Sequence, residues 1–126
     1  MPEEVGNSEL LARFVFQRRH LYQDGQPKPA AFLPNSNNET SVSRVDSLSD
    51  QEIYIEGKEC ERRRTDNPTL YGRALVGNEV VLDLNLRTVK DEPPPRHANI
   101  VGWPLEQSEK KLIALGIAEE ANGLKY

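Results

Sequence analysis

Phe14 and Phe16 alternate with Arg13, Val15 and Gln17, and this period of two predicts a half-buried first strand over residues 12–22. Asp24-Gly25 then signals a turn. Pro27, Pro29 and Pro34 keep Ala31-Phe32-Leu33 extended and, if it pairs at all, at a sheet edge. Asn35 to Asn38 read as an exposed loop, and the β-branched residues Thr40, Val42 and Val45 predict a second strand. The polar, acidic residues ahead of the first strand are expected to be mobile, giving a flexible segment over 1–10 and one folded domain over 11–126.

The sharpest local signal is Ser49-Asp50-Gln51-Glu52. Ser49 can accept the backbone N–H three residues on while Glu52 reaches back, which predicts a helix from Asp50. Gly57 weakens that helix by about 1 kcal/mol relative to alanine, so it either ends there or runs into the charged cluster from Glu59 to Arg64. Asn67-Pro68 interrupts any helix there. Residues 70–76 alternate like a strand, Gly77-Asn78 reads as a two-residue hairpin, and Leu82, Leu84 and Leu86 share one face of a partner strand over 80–86. A short extended piece over 96–101 precedes a last helix opening at Pro104 or Leu105. Leu112, Leu115 and Ala118, with Ile113, Ile117 and Ala121, form its apolar stripe, and Asn122-Gly123 is its stop. The pattern as a whole predicts an α+β fold of four or five mostly antiparallel strands packed against two helices.

Composition narrows the function classes. A chain of 126 residues suits one core, since separate domains need about 100 residues each. The net charge of −4 argues against broad wrapping by nucleic acid, although a local basic patch is compatible with it. The single Cys60 excludes an internal disulfide and a multi-cysteine zinc site. No apolar run is long enough to span a membrane and the first residues lack a secretory pattern, so a cytoplasmic location is expected.

The densest chemistry lies between Pro93 and Pro104, which holds His97, the only tryptophan and four of the nine prolines. In an extended segment His97 and Asn99 share one face and Arg96 and Ala98 the other. An imidazole beside an amide can orient a substrate or exchange a proton, or else simply bond the backbone of a proline-rich loop. His20 follows Arg18-Arg19 at the end of the first strand. If it meets His97, the pair could act as acid and base on a phosphodiester, or ligate a metal with a carboxylate such as Glu39 or Asp46. Trp103 could stack on a ring or anchor a partner, or plug the edge of the sheet before the helix. Arg62-Arg63-Arg64 is flanked by Glu59, Glu61 and Asp66 and reads as a locally neutralised surface, with Cys60 as an idle thiol. No phosphate loop, nucleophile elbow or metal motif is present, so no cofactor and no resident metal are expected.

The segments Lys28-Pro-Ala-Ala-Phe-Leu-Pro34, Glu39-Thr-Ser-Val-Ser-Arg44, Leu48-Ser-Asp-Gln-Glu-Ile53, Tyr71-Gly-Arg-Ala74 and Arg96-His-Ala-Asn-Ile-Val-Gly-Trp-Pro104 together resemble a family of small bacterial proteins of unknown function. The chain departs from that pattern at Ser43, where an aromatic residue is usual, and at Tyr54, where tryptophan is. The resemblance carries no activity. It implies a bacterial or phage-like origin and a recurrent binding surface made of Arg44, Arg96, His97, Asn99 and Trp103. The expected function is that of an accessory protein without catalysis of its own, binding a macromolecular partner, in the first place a protein, through the histidine–tryptophan segment. The alternatives are an enzyme acting on a phosphate ester or nucleotide through His97, His20 and an arginine, and a nucleic-acid-binding module. Convergence of His20, His97 and Arg44 in one cleft would favour the enzyme.

Overall fold

The computed structural model describes residues 3–126. Six strands, β1 (Leu10–Val15), β2 (Thr40–Arg44), β3 (Gly72–Gly77), β4 (Arg87–Lys90), β5 (His97–Val101) and β6 (Asn122–Lys125), form one sheet in the order β4-β5-β2-β1-β3-β6, antiparallel at every pairing. Three helices, α1 (Asp50–Arg63), α2 (Asn78–Asp83) and α3 (Gln107–Glu120), complete the α+β fold. The first strand is shorter than its pattern predicts. It gives way to a single 3-10 turn at Arg18–His20, and Pro29–Phe32 forms a second such turn with Ala31 and Phe32 buried, where an extended edge is expected.

Both faces of the central strand are covered, which is why β1 carries apolar residues on both sides. Leu11 and Val15 join Val42, Ala74, Val76, Ala98, Ile100 and Trp103 in the larger core, against Ala114, Ile117 and Ala118 of α3. Ala12 and Phe14 face the other way, onto Ile53 of α1 and Leu70. The Ser49 capping box closes as expected, with Glu52 N donating to Ser49 Oγ at 3.2 Å and Ser49 N to Glu52 Oε1 at 3.0 Å. The helix runs through Gly57 because that glycine lies directly over the ring of Phe14. A Cβ there would stand 2.8 Å from the Phe14 Cε1 and 2.9 Å from Leu70 Cδ2.

Four expectations are corrected. Gly77-Asn78 is no hairpin: Gly77 is the N-cap of α2, so residues 80–83, read as strand, are helical, and the strand that follows begins at Arg87. The cause is tertiary. Asn78 is fully buried and its Nδ2 donates to the carbonyls of Val5 and Gly6, while Thr88 Oγ1 donates to its Oδ1. Asn122-Gly123 is no left-handed stop: α3 ends at Glu120 with Ala121 as an extended cap, and Asn122 and Gly123 already belong to the edge strand β6 beside β3. The stripe on α3 is narrower than expected, since Leu112 and Leu115 are exposed. Residues 3–6, assigned to a flexible end, run along β4: Lys90 N donates to Glu3 O, Val5 N donates to Thr88 O, and Val5 is buried. The rest of that expectation, Met1 and Pro2, lies outside the described residues. Among the described residues no helix is long and apolar enough to cross a membrane.

Candidate functional site

The α1 side of the sheet is divided in two. Over β1 and β3 it is covered by α1, which packs on Ala12, Phe14 and Leu70 and whose Asp50 lies 3.8 Å from the buried Arg73; over β2 and β5 it carries Ser41, Ser43, His97 and Asn99, whose register places Ser43 opposite His97 and Ser41 opposite Asn99. Beside this polar half β1 and β2 part company, pairing only at Leu11–Arg44 and Ala12–Ser43. A cavity of about 640 Å³ opens at that divergence, a size that suits a small organic ligand. Its apolar wall includes Phe14, Phe16, Leu33 and Pro94, and its polar wall includes Arg13, His20, Ser41, Ser43, Cys60 and His97.

Arg13 holds the gap between the strands in place of ladder bonds. Its Nε donates to Ala31 O at 2.8 Å and its Nη1 to Ser41 O at 2.9 Å. Among the described residues no carboxylate pairs with it; burial, and then the neighbouring charge of Arg64, bring its pKa down to about 10. Carbonyl oxygens satisfy two of its N–H groups but do not balance its charge. The other arginines on the cavity wall are paired. Arg64 forks onto Asp66 at 3.1 and 2.7 Å and lies over the Phe16 ring, and Arg63 faces Glu56 at 4.0 Å.

His97 Nδ1 lies 2.9 Å from the carbonyl of Asp91 and 3.3 Å from its Oδ2. Both partners accept, so Nδ1 carries a proton. Asn99 is buried and donates to the same Asp91 Oδ2 at 2.9 Å, while Ser41 Oγ donates to Asn99 Oδ1 at 3.4 Å. His20, on the same cavity, has its pKa pushed down by burial and by the charges of Arg19, Arg13 and Lys28. Burial raises the Cys60 thiol, which contacts Ser43 Oγ and Glu56 Oε2 at 3.8 Å each, so it is a poor nucleophile.

The five residues expected to form one surface are divided. His97 and Asn99 share the polar face, with Arg96 exposed next to them. Arg44 points to the opposite side, where Glu9 binds it through two bonds of 2.9 and 3.1 Å and Glu92 lies at 3.4 Å. Trp103 is buried in the larger core, its indole N–H unpartnered, and its carbonyl accepts from Asn38 Nδ2 at 2.9 Å. His20 and His97 do line one cavity, but the arginine beside them is Arg13, which the strand pattern alone did not single out. A charge within a strand whose neighbours are buried on both faces was the available signal. Among the described residues no group of three or more His, Cys, Asp or Glu side chains is arranged to hold a metal ion. Compared with known proteins, the chain matches no family, no curated protein and no solved structure.

Proposed function

We propose that this chain binds a small organic anion in the cavity between β1 and β2. The observation that carries the reading is Arg13: a guanidinium on the cavity wall, fixed by two carbonyls and lacking a carboxylate partner. An anion from solution supplies the missing charge in a place where water screens it little, and the apolar wall takes the rest of the ligand. A macromolecular partner at residues 96–103 would have to be held without Trp103, whose side chain is in the core. A second reading, an enzyme acting on a phosphate-containing substrate, is favoured by His20 and His97 lining the same cavity, with Arg13 in the place expected for Arg44.

Thermal unfolding with and without benzoate tests the anion reading, because a ligand that binds only the folded state raises the melting temperature as its concentration exceeds Kd. Benzoate should stabilise the wild type and have no effect on Arg13→Met. Ala30→Trp, which fills the exposed rim of the cavity and leaves the Arg13 bonds alone, should also abolish the shift. An equal shift in the wild type and both variants, or none in any of them, would overturn the proposal.

A further inference from the structure

Cations that no carboxylate answers gather on one hairpin. Residues 18–28 fold back on themselves: Leu21 bridges to Pro27, Lys28 N donates to His20 O at 2.8 Å, and Tyr22 N donates to Gln26 O at 2.8 Å. Leu21 is buried in the larger core and pins the hairpin down, while Tyr22, next to it, points the other way and is 52% exposed. Arg18 and Arg19 are exposed and Lys28 is half-buried, and among the described residues none of the three forms an ion pair. Aromatic rings hold two of them instead. The Arg18 guanidinium lies 5.4 Å from the centre of the Tyr71 ring, and the Lys28 ammonium 5.3 Å from that of Tyr22. A ring steadies a cation without neutralising it. The Arg62-Arg63-Arg64 triplet, the denser cluster in the sequence, is by contrast paired with Glu59, Glu56 and Asp66.

The acids of this region stand apart from these cations. Asp24 is at the turn, where its Oδ1 accepts from Gln26 N, and Glu39 is on the cavity wall. Glu119 and Glu120 close α3, whose end Gln26 Nε2 reaches through the carbonyls of Ala118 and Ala121. The charges that act on His20 are Arg19, Arg13 and Lys28, all positive. Lys125, beside Gly25, adds a further cation at the turn. In a chain of net charge −4, a local excess of exposed positive charge selects a polyanion. An acidic peptide would use the charges alone, whereas a single nucleic-acid strand also uses the ring. Lys28 stands over Tyr22, and the residue still keeps half of its surface open to an unstacked base. A duplex keeps the faces of its bases covered and cannot make that contact.

We infer that the hairpin over residues 18–28 binds single-stranded nucleic acid, with phosphates on Arg18, Arg19 and Lys28 and a base stacked on Tyr22. This surface is separate from the anion cavity and stands or falls without it. Fluorescence anisotropy of the full chain with a labelled oligouridine of about 12 nucleotides tests it. Three phosphate contacts to a single strand give a plot of log affinity against log salt with a slope of about −2, and Arg19→Gln or Lys28→Gln should each flatten it by about 0.7. Tyr22→Ser should weaken binding at least about fivefold with the slope unchanged, and Tyr22→Phe should retain the affinity. The double variant Lys110→Gln, Lys111→Gln on α3 changes the net charge as much as Arg18→Gln, Arg19→Gln does, and only the second pair should abolish binding. No binding at low salt, or equal losses in the two double variants, would overturn the assignment of the hairpin. An unchanged affinity in Tyr22→Ser would overturn the stacked base. Tighter binding of a duplex of the same length would overturn the single-strand assignment, and tighter binding of a labelled oligoglutamate would replace nucleic acid by an acidic protein partner.

Discussion

Replacing Asn78 by alanine should cost about 2–5 kcal/mol, because one side chain ties the start of the chain to two separate elements. Its Nδ2 donates to Val5 O at 3.0 Å and Gly6 O at 3.1 Å, and its Oδ1 accepts from Thr88 Oγ1 at 2.6 Å. The three partners are not equally exposed to loss. Gly6 is exposed and its carbonyl also accepts from Glu9 N, so water and that bond can satisfy it. Val5 is buried and Thr88 is 1% exposed, and each buried group left without a partner costs about 1–3 kcal/mol. Urea unfolding measures the total, and hydrogen exchange at the amides of Val5 and Lys90 reports whether residues 3–6 detach from β4. A double-mutant cycle with Thr88→Val isolates the part due to the stranded hydroxyl: once Thr88 no longer has an O–H, Asn78→Ala should cost at least about 1 kcal/mol less. A total loss below about 1 kcal/mol, or additive effects in the cycle, would refute the account of α2 given above.

Ser49→Ala removes the Oγ that accepts from Glu52 N and should lower stability by about 1 kcal/mol in the same assay; an unchanged midpoint would mean the capping box is dispensable. Gly57→Ala sets a helix-propensity gain of about 1 kcal/mol against a Cβ forced to within 2.8 Å of the Phe14 ring. Overpacking costs about 1–3 kcal/mol, so a net loss is expected and a stabilised variant would contradict the close approach of α1 to β1. For pH, His20 has a folded pKa below its ordinary value of 6.5, so the unfolded chain takes up the proton first. Its contribution to stability is then complete above about pH 6.5 and is lost as pH falls through the lower folded value. Thermal melts from neutral to mildly acidic pH should fall less steeply for His20→Gln than for wild type, and parallel curves would count against burial of that ring.

The elements legible in the sequence are those decided by neighbours along the chain. The capping box at Ser49 needs only four residues, and it placed the start of α1 correctly. The strands β2 and β3 follow from β-branched content and alternation. Residues 80–86 went wrong because Leu82, Leu84 and Leu86 satisfy a period of two while Val81 and Leu86, the two that are buried, obey neither that period nor a helical one cleanly. What decides the helix is the anchoring of Asn78 by Val5, Gly6 and Thr88, which are distant in sequence except for the last. The edge strand β6 has the same origin. Its backbone is fixed by β3, by Arg73 Nη1 donating to Asn122 O at 2.9 Å and by Gln26 Oε1 accepting from Gly123 N at 3.2 Å, none of which an Asn-Gly pair announces.

The site divides along the same line. That His97 and Asn99 face one way follows from strand alternation, and the structure adds what they face: a half-sheet left open because α1 lies over β1 and β3 and meets the polar half through Cys60, beside Ser43, and Arg63 at the end of the helix. The cavity itself has no local signature, since it arises where β1 and β2 diverge after two paired positions. Arg13 is the residue that links the two levels. Within Leu11-Ala12-Arg13-Phe14-Val15 every neighbour is buried, so a charged side chain there must leave the sheet, find a carboxylate or wait for a ligand. It finds only carbonyls. A hydrophobic residue would fill the same gap without the desolvation of a charge, so the guanidinium costs stability that a purely structural role does not require, and an anion bound beside it is the physical condition under which that cost is recovered.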